Sequence, residues 1–138
     1  MIAYLDSSVL LHVILGQRNA LKEWDRVEQG VASALVEVEC LRTLDRLRLV
    51  EGHPDEAIAQ RRESVFRLME ALERVEITQS VLSRAAQPLP TALGTLDAIH
   101  LATALLWKER TGKLLTMATH DVALAMASKA SGLRVVGA

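Results

Sequence analysis

At 138 residues, half of them hydrophobic, the chain has the length of one compact domain and enough apolar side chains to fill its core. Only 3% are aromatic, so that core must be built from Leu, Val, Ile and Ala, and helices should dominate. A formal net charge of −1 excludes a nucleic-acid binder acting through bulk electrostatics and leaves room only for a local basic patch, while the single cysteine, Cys40, excludes an intrachain disulfide and reads as a buried thiol in a reducing setting.

The N-terminal stretch MIAYLDSSVLLHVILG lacks a basic leader and is interrupted by Asp6, so it does not read as a signal peptide. No apolar run reaches the roughly 18 residues of a membrane span, and the expected location is the cytoplasm. Ile2 to Leu5 fits a buried strand that turns at Asp6 into a helix over Val9 to Leu15, closed by Gly16. The spacing of Leu21, Trp24 and Val27 predicts a second helix over Ala20 to Gln29, stopped by Gly30.

Val31 to Ser33 reads as a minimal second strand. A long amphipathic helix follows, its apolar stripe formed by Leu35, Val38, Leu41, Leu44 and Leu47. Gly52-His53-Pro54 breaks it, and Ala57 to Leu72 predicts the next helix. Val75 to Ile77 is a third short strand, with Thr78 as N-cap of a helix over Gln79 to Ala86.

Pro88, Pro90 and Gly94 make QPLPTALG the most loop-like segment. LGTLDAIHLATALLW then reads as a core helix with Thr95 as cap and one carboxylate, Asp97, in its first turn. Leu114 to Ala118 is the fourth strand, Asp121 to Ala130 a helix stopped by Gly132, and Leu133 to Val136 the last strand. Strands alternating with helices predict a three-layer α/β/α sandwich around a short central parallel sheet.

In such a sheet with right-handed crossovers, strand C-termini and the N-termini of the returning helices share one edge, where these folds bind ligands. Asp6 ends the first strand, Asp121 lies where the fourth turns into helix, and Asp97 starts a helix leading to the beginning of the fourth. Glu39, one to two turns into the helix after the second strand, points back over the same edge. Four clustered carboxylates repel one another unless a cation neutralises them, and an all-oxygen set without Cys or His suits Mg2+ or Mn2+. Magnesium in such a site takes part of its coordination from a substrate phosphate, so phosphodiester hydrolysis is the leading chemistry.

Taken in order, YLDSSVLL, SALVEVECLRTL, PLPTALGTLDAIHLATAL and ATHDVALAMASKASGLRVV resemble the PIN-domain ribonucleases, and closely the toxin components of VapBC toxin-antitoxin pairs. The resemblance covers essentially the whole chain, implying one PIN domain over residues 1–138. It implies a Mg2+-dependent endoribonuclease with Asp6, Glu39, Asp97 and Asp121 as catalytic and metal-ligating residues and Ser7 and Thr119 as supporting hydroxyls. It further implies an RNA substrate, a cognate VapB-type antitoxin and a homodimer. Where many relatives carry Tyr, this chain has His120.

Each residue also has a plainer reading. Asp6 can cap a turn with Ser7 or Ser8, Asp121 can cap its helix, and Glu39 can pair with Arg42 one turn on. Asp97 resists that treatment, because its helix is too apolar for exposure and Thr95 already offers a cap. Glu37 is the alternative to Glu39 but points to another helix face. His12 and His100 sit in apolar context and read as core or interface residues, whereas His120 lies beside the cluster. Arg42, Arg46, Arg61, Arg62 and Arg67 read as solvated faces available to RNA phosphates or a partner. A phosphatase using Asp6 as nucleophile is disfavoured, since that chemistry wants a second Asp where Ser8 stands. The non-enzymatic alternative is a PIN-like module that binds RNA or a partner without cleaving.

Overall fold

A computed structural model describes all of residues 1–138. Five strands, β1 (Ile2–Leu5), β2 (Gln29–Ser33), β3 (Glu73–Val75), β4 (Thr116–Ala118) and β5 (Arg134–Val136), form one parallel sheet in the order β3-β2-β1-β4-β5. The helices are α1 (Ser7–Ile14), α2 (Leu35–Glu51), α3 (Asp55–Ala71), α4 (Gln79–Ala85), α5 (Thr95–Thr111) and α6 (Val122–Ala130).

Strand alternation sorts the core into two layers. Ala3 and Leu5 of β1, Ala32 of β2 and Ala118 of β4 face Val9, Leu10, Val36, Leu44 and Val65 of α1, α2 and α3. Their neighbours Tyr4, Val31 and Met117 face Leu101, Ala104, Trp107, Leu124 and Ala127 of α5 and α6. The small residues on the first face let helices approach the sheet closely, while Tyr4 fills the second. Cys40 is fully buried in the first layer, and burial pushes its thiol up to about 12, as suits an inert packing residue.

The chain leaves β1 for β2 on one side and returns to place β4 on the other. The sheet therefore changes direction between β1 and β4, and a crevice opens at their carboxyl ends. The register Leu5↔Ala118 puts Asp6 and Thr119 side by side just beyond that edge.

Three expected elements differ. The helix expected over Ala20 to Gln29 is a single 3-10 turn, Trp24–Arg26. Pairing of Ile2 with Gln29 commits the end of that segment to β2, and Leu21 alone of its apolar residues is buried. The third strand is Glu73–Val75 rather than Val75 to Ile77, because its register is set by Val31, Ala32 and Ser33 of β2. It is an edge strand, where Glu73 and Arg74 are tolerated. The N-cap of α5 is Gly94 without a side-chain bond, so Thr95 is the first helical residue and not the cap. Thr78 caps α4 as expected, its Oγ1 accepting from the Val81 N–H at 3.3 Å.

Candidate active site

Asp6 is 3% exposed and is the N-cap of α1, because a parallel strand entering a helix leaves the first-turn N–H groups unpaired just where this residue falls. Its Oδ1 accepts from the Ser8 hydroxyl at 2.6 Å and the Val9 N–H at 3.2 Å, and its Oδ2 accepts from the Thr119 hydroxyl at 2.5 Å. Thr119 is fully buried, and its Oγ1 in turn accepts from the Asp121 N–H at 3.0 Å. One hydroxyl thus ties the ends of β1 and β4 together. Asp121 caps α6, its Oδ1 accepting from the Leu124 N–H at 2.8 Å.

Capping and catalysis are therefore compatible readings of Asp6 and Asp121. Capping occupies part of each carboxylate and fixes its direction, and lone pairs remain for a ligand. Of the two serines, Ser8 supports Asp6, and it also accepts from the His120 N–H at 3.0 Å. Ser7, expected as a supporting hydroxyl, makes no hydrogen bond to the cluster; the side chain two positions beyond a cap reaches back to it, and the first does not.

Glu39 approaches from α2 and His100 from α5, and the two meet over the carboxyl edge of β2. His100, 1% exposed, donates from Nε2 to Glu39 Oε1 at 2.6 Å, while its Nδ1 lies 2.7 Å from the Tyr4 hydroxyl. Burial, and after it the charge of Asp6, holds the Tyr4 phenol well above its ordinary range, so it stays a protonated donor. Arg42 does not pair with Glu39 but with Asp45, at 3.1 Å. Glu37 turns outward to Arg74 at 3.0 Å, which removes it from the edge. Glu37→Gln is accordingly expected to leave RNA cleavage within about twofold of wild type and to cost under about 1 kcal/mol in a denaturant melt.

Asp97 lies in the first turn of α5 and makes no hydrogen bond. A helix N-terminus ordinarily favours a carboxylate. Here burial, and after it the negative charges of Asp121, Asp6 and Glu39, outweigh that and hold the Asp97 carboxyl above its usual value. Asp97 thus feels the other three carboxylates expected from the sequence. The four do not form a ready-made cage, since no three His, Cys, Asp or Glu side chains are disposed to chelate an ion together. Mg2+ needs none: it keeps several waters and takes one or two carboxylates. The donor set is all oxygen, and both oxygens of Asp97 and Glu39 Oε2 are unclaimed by hydrogen bonds, which fits a hard divalent cation.

Around this edge, the His120 ring donates from Nδ1 to the Gly137 carbonyl at 2.8 Å and lies 4.2 Å from the His12 ring, centroid to centroid. Among the arginines, Arg61 donates to the Ile14 carbonyl at the end of α1, Arg62 covers the Phe66 ring at 5.7 Å, and Arg67 donates to Ser64 at 3.2 Å. Arg46 is exposed and without an ion pair.

A doubly flanked parallel sheet with this acidic switch point is the architecture of a PIN domain, and the model of that family matches residues 3–124. The chain belongs to the PIN-domain family. It is 36% identical to Ribonuclease VapC35 of Mycobacterium tuberculosis, the alignment covering 96% of this chain and 94% of that protein. It is 32% identical to Ribonuclease VapC46 of the same species, covering 96% and 95%. In fold it is similar to a chain of VapBC2 from Rickettsia felis, solved bound to a DNA fragment from its promoter, with a TM-score of 0.68 at 12% identity over 98% of this chain and 97% of that one.

Proposed function

We propose that the chain is a single PIN domain over residues 1–138 that cleaves RNA as a divalent-cation-dependent endoribonuclease and serves as the toxin of a VapBC-type pair. The observation that supports this reading is the placement of Asp6 and Asp121 just beyond the carboxyl ends of the neighbouring strands β1 and β4, with Asp97 near enough to feel their charges and that of Glu39. The two VapC ribonucleases, aligned over nearly the whole chain, support the activity. The VapBC complex among the structural neighbours supports a VapB-type partner.

Mg2+, with Mn2+ as a substitute, is the cation that Asp6, Glu39, Asp97 and Asp121 would hold; it would supply positive charge to offset the cluster and the phosphate and would lower the pKa of water. The residues supply the rest. Ser8 and Thr119 fix both oxygens of Asp6, so the carboxylate cannot swing away when the ligand arrives. Asp121 is aimed by its cap bond to Leu124. Asp97, with no hydrogen bond to break, is the group best placed to take a proton from an attacking water or to turn toward a ligand. Negative charge held at the edge also repels a bare phosphate, so substrate entry requires the cation.

Leu96 and Val122, 50% and 70% exposed, flank Asp97 and Asp121 on the outer surface. An antitoxin segment carrying apolar and basic side chains would cover this rim and the acidic crevice together. No helix is long and apolar enough to cross a membrane. A cytoplasmic location and a homodimer belong to the same proposal, by likeness to the family.

The test is purified protein, freed of antitoxin, incubated with total RNA. Cleavage is expected with Mg2+ or Mn2+, lost with EDTA and restored by excess Mg2+. Cleavage that survives EDTA overturns the metal-nuclease reading, and absence of cleavage by folded, cation-saturated protein favours the binding module instead.

A further inference from the structure

Tyr4, His100 and Glu39 form a chain of hydrogen bonds that runs from the buried interior of the sheet to the crevice. The hydroxyl to Nδ1 distance is 2.7 Å and the Nε2 to carboxylate distance 2.6 Å. Tyr4 and His100 are essentially without solvent exposure, while the Glu39 side chain is 19% exposed. Three layers of the fold contribute one member each: Tyr4 from the central strand β1, His100 from α5, and Glu39 from α2.

The geometry fixes which ring nitrogen carries the proton. A carboxylate oxygen only accepts, so Nε2 must bear hydrogen. Nδ1 of the neutral ring is then a lone pair, and the phenol, with a hydroxyl to give, donates to it. The imidazole is held from behind in one tautomer and one orientation, as a ring bonded on both sides must be. Glu39 Oε1 is thereby pinned, and Oε2 has no hydrogen-bond partner.

We propose that His100 is a positioning residue for the candidate cation site, a buried Nε2–H donor that Tyr4 locks in place and that holds Glu39 in its ligating orientation. The inference rests on the reading of Glu39 as a member of that site. It also accounts for a histidine in the middle of an otherwise apolar helix face, where a Leu or Phe would pack without needing two partners. Without the tether, Glu39 has several rotamers available on a partly exposed helix turn, and each visit to them weakens the site.

The experiment compares wild type, His100→Phe, His100→Gln and Tyr4→Phe, all as the full chain. In metal-free wild type, long-range 1H–15N spectra are expected to show His100 protonated at Nε2 and unprotonated at Nδ1. In Tyr4→Phe the Nδ1 resonance is expected to move toward that of an unbonded ring nitrogen. Mn2+ affinity, read by electron paramagnetic resonance, is expected to fall by about 10–100-fold in His100→Phe, the range typical for partners behind a metal ligand. His100→Gln, which can place an amide N–H near the position of Nε2–H, is expected to recover most of that loss, and raising Mn2+ is expected to restore the cleavage rate of His100→Phe toward wild type.

An Nδ1–H tautomer in wild type, or folded His100→Phe that binds Mn2+ within about twofold of wild type, overturns the proposal. If His100→Phe does not fold, as judged by circular dichroism, the wild-type tautomer and the Mn2+ affinities of His100→Gln and Tyr4→Phe decide it. Failure of wild type to bind Mn2+ at all, with the expected tautomer present, refutes the metal-site reading instead, so the two failures are distinguishable.

Discussion

Replacing Asp97 with Asn is expected to abolish RNA cleavage while raising the thermal stability of the metal-free protein. Partners standing behind metal ligands are typically worth about 10–100-fold in activity, so loss of a group proposed to hold the cation itself should exceed about a hundredfold. The stability gain follows from the cause of the shifted carboxyl: burial first, then Asp121, with Asp6 and Glu39 adding to it. A folded-state pKa above the unfolded value means that the ionised form is less favoured in the native state. The penalty is absent below the ordinary Asp range, grows as pH rises through the window between unfolded and folded values, and is constant above it. Asn carries no such charge. The melting temperature of Asp97→Asn should therefore lie above that of wild type near neutral pH in EDTA, and the gap should close as pH is lowered toward the ordinary Asp range. In saturating Mg2+ the order should reverse, because only wild type gains fully from binding. An Asn variant that is less stable than wild type in EDTA at neutral pH would show that the carboxylate is held by attractive partners rather than opposed by its neighbours.

The second large effect is expected at Thr119→Val, a change that keeps shape and removes one hydroxyl. That hydroxyl donates to Asp6 Oδ2 at 2.5 Å and accepts from the Asp121 N–H at 3.0 Å; Thr119 itself is fully buried and Asp6 nearly so, while Asp121 is half-buried. A hydrogen bond to a charged group contributes about 1.5–3 kcal/mol, and the half-buried Asp121 amide, which water can partly satisfy, adds up to about 1, so a loss of about 3 kcal/mol is expected. For a domain of this size that corresponds to roughly 10 °C in melting temperature. Thr119→Ser keeps both bonds and should lose less than half as much. Cleavage should fall at least about tenfold in the valine variant, since Asp6 and Asp121 lose their common brace. A valine variant that melts within about 2 °C of wild type would dismiss the brace as an energetic feature.

Topology made most of the site legible. Asp6 and Asp121 could be placed at one edge because a strand end and the following helix start are local features, and Asp97 could be added because its helix precedes β4. What the sequence left hidden were pairings decided by docking of distant elements. His100 reads as an apolar-face residue until α2 and α5 are laid on opposite faces of β2, when its partner turns out to lie 61 positions away. The choice of Ser8 over Ser7 depended on how a cap side chain bends back, which the repeated residue D-S-S concealed. The segment Ala20 to Gln29 carries a helical spacing that three residues of 3-10 turn satisfy equally well, once strand pairing has claimed Gln29.

The brace between Asp6 and Thr119 joins residues 113 positions apart. A protein of this kind is hazardous to the cell that makes it, and synthesis runs from the end that carries Asp6. Until the ribosome has released β4 and the start of α6, β1 lacks its neighbour on one side and the crevice lacks a wall and a carboxylate. A chain that stops short of β4 therefore lacks Thr119 and Asp121, and it is expected to show no cleavage.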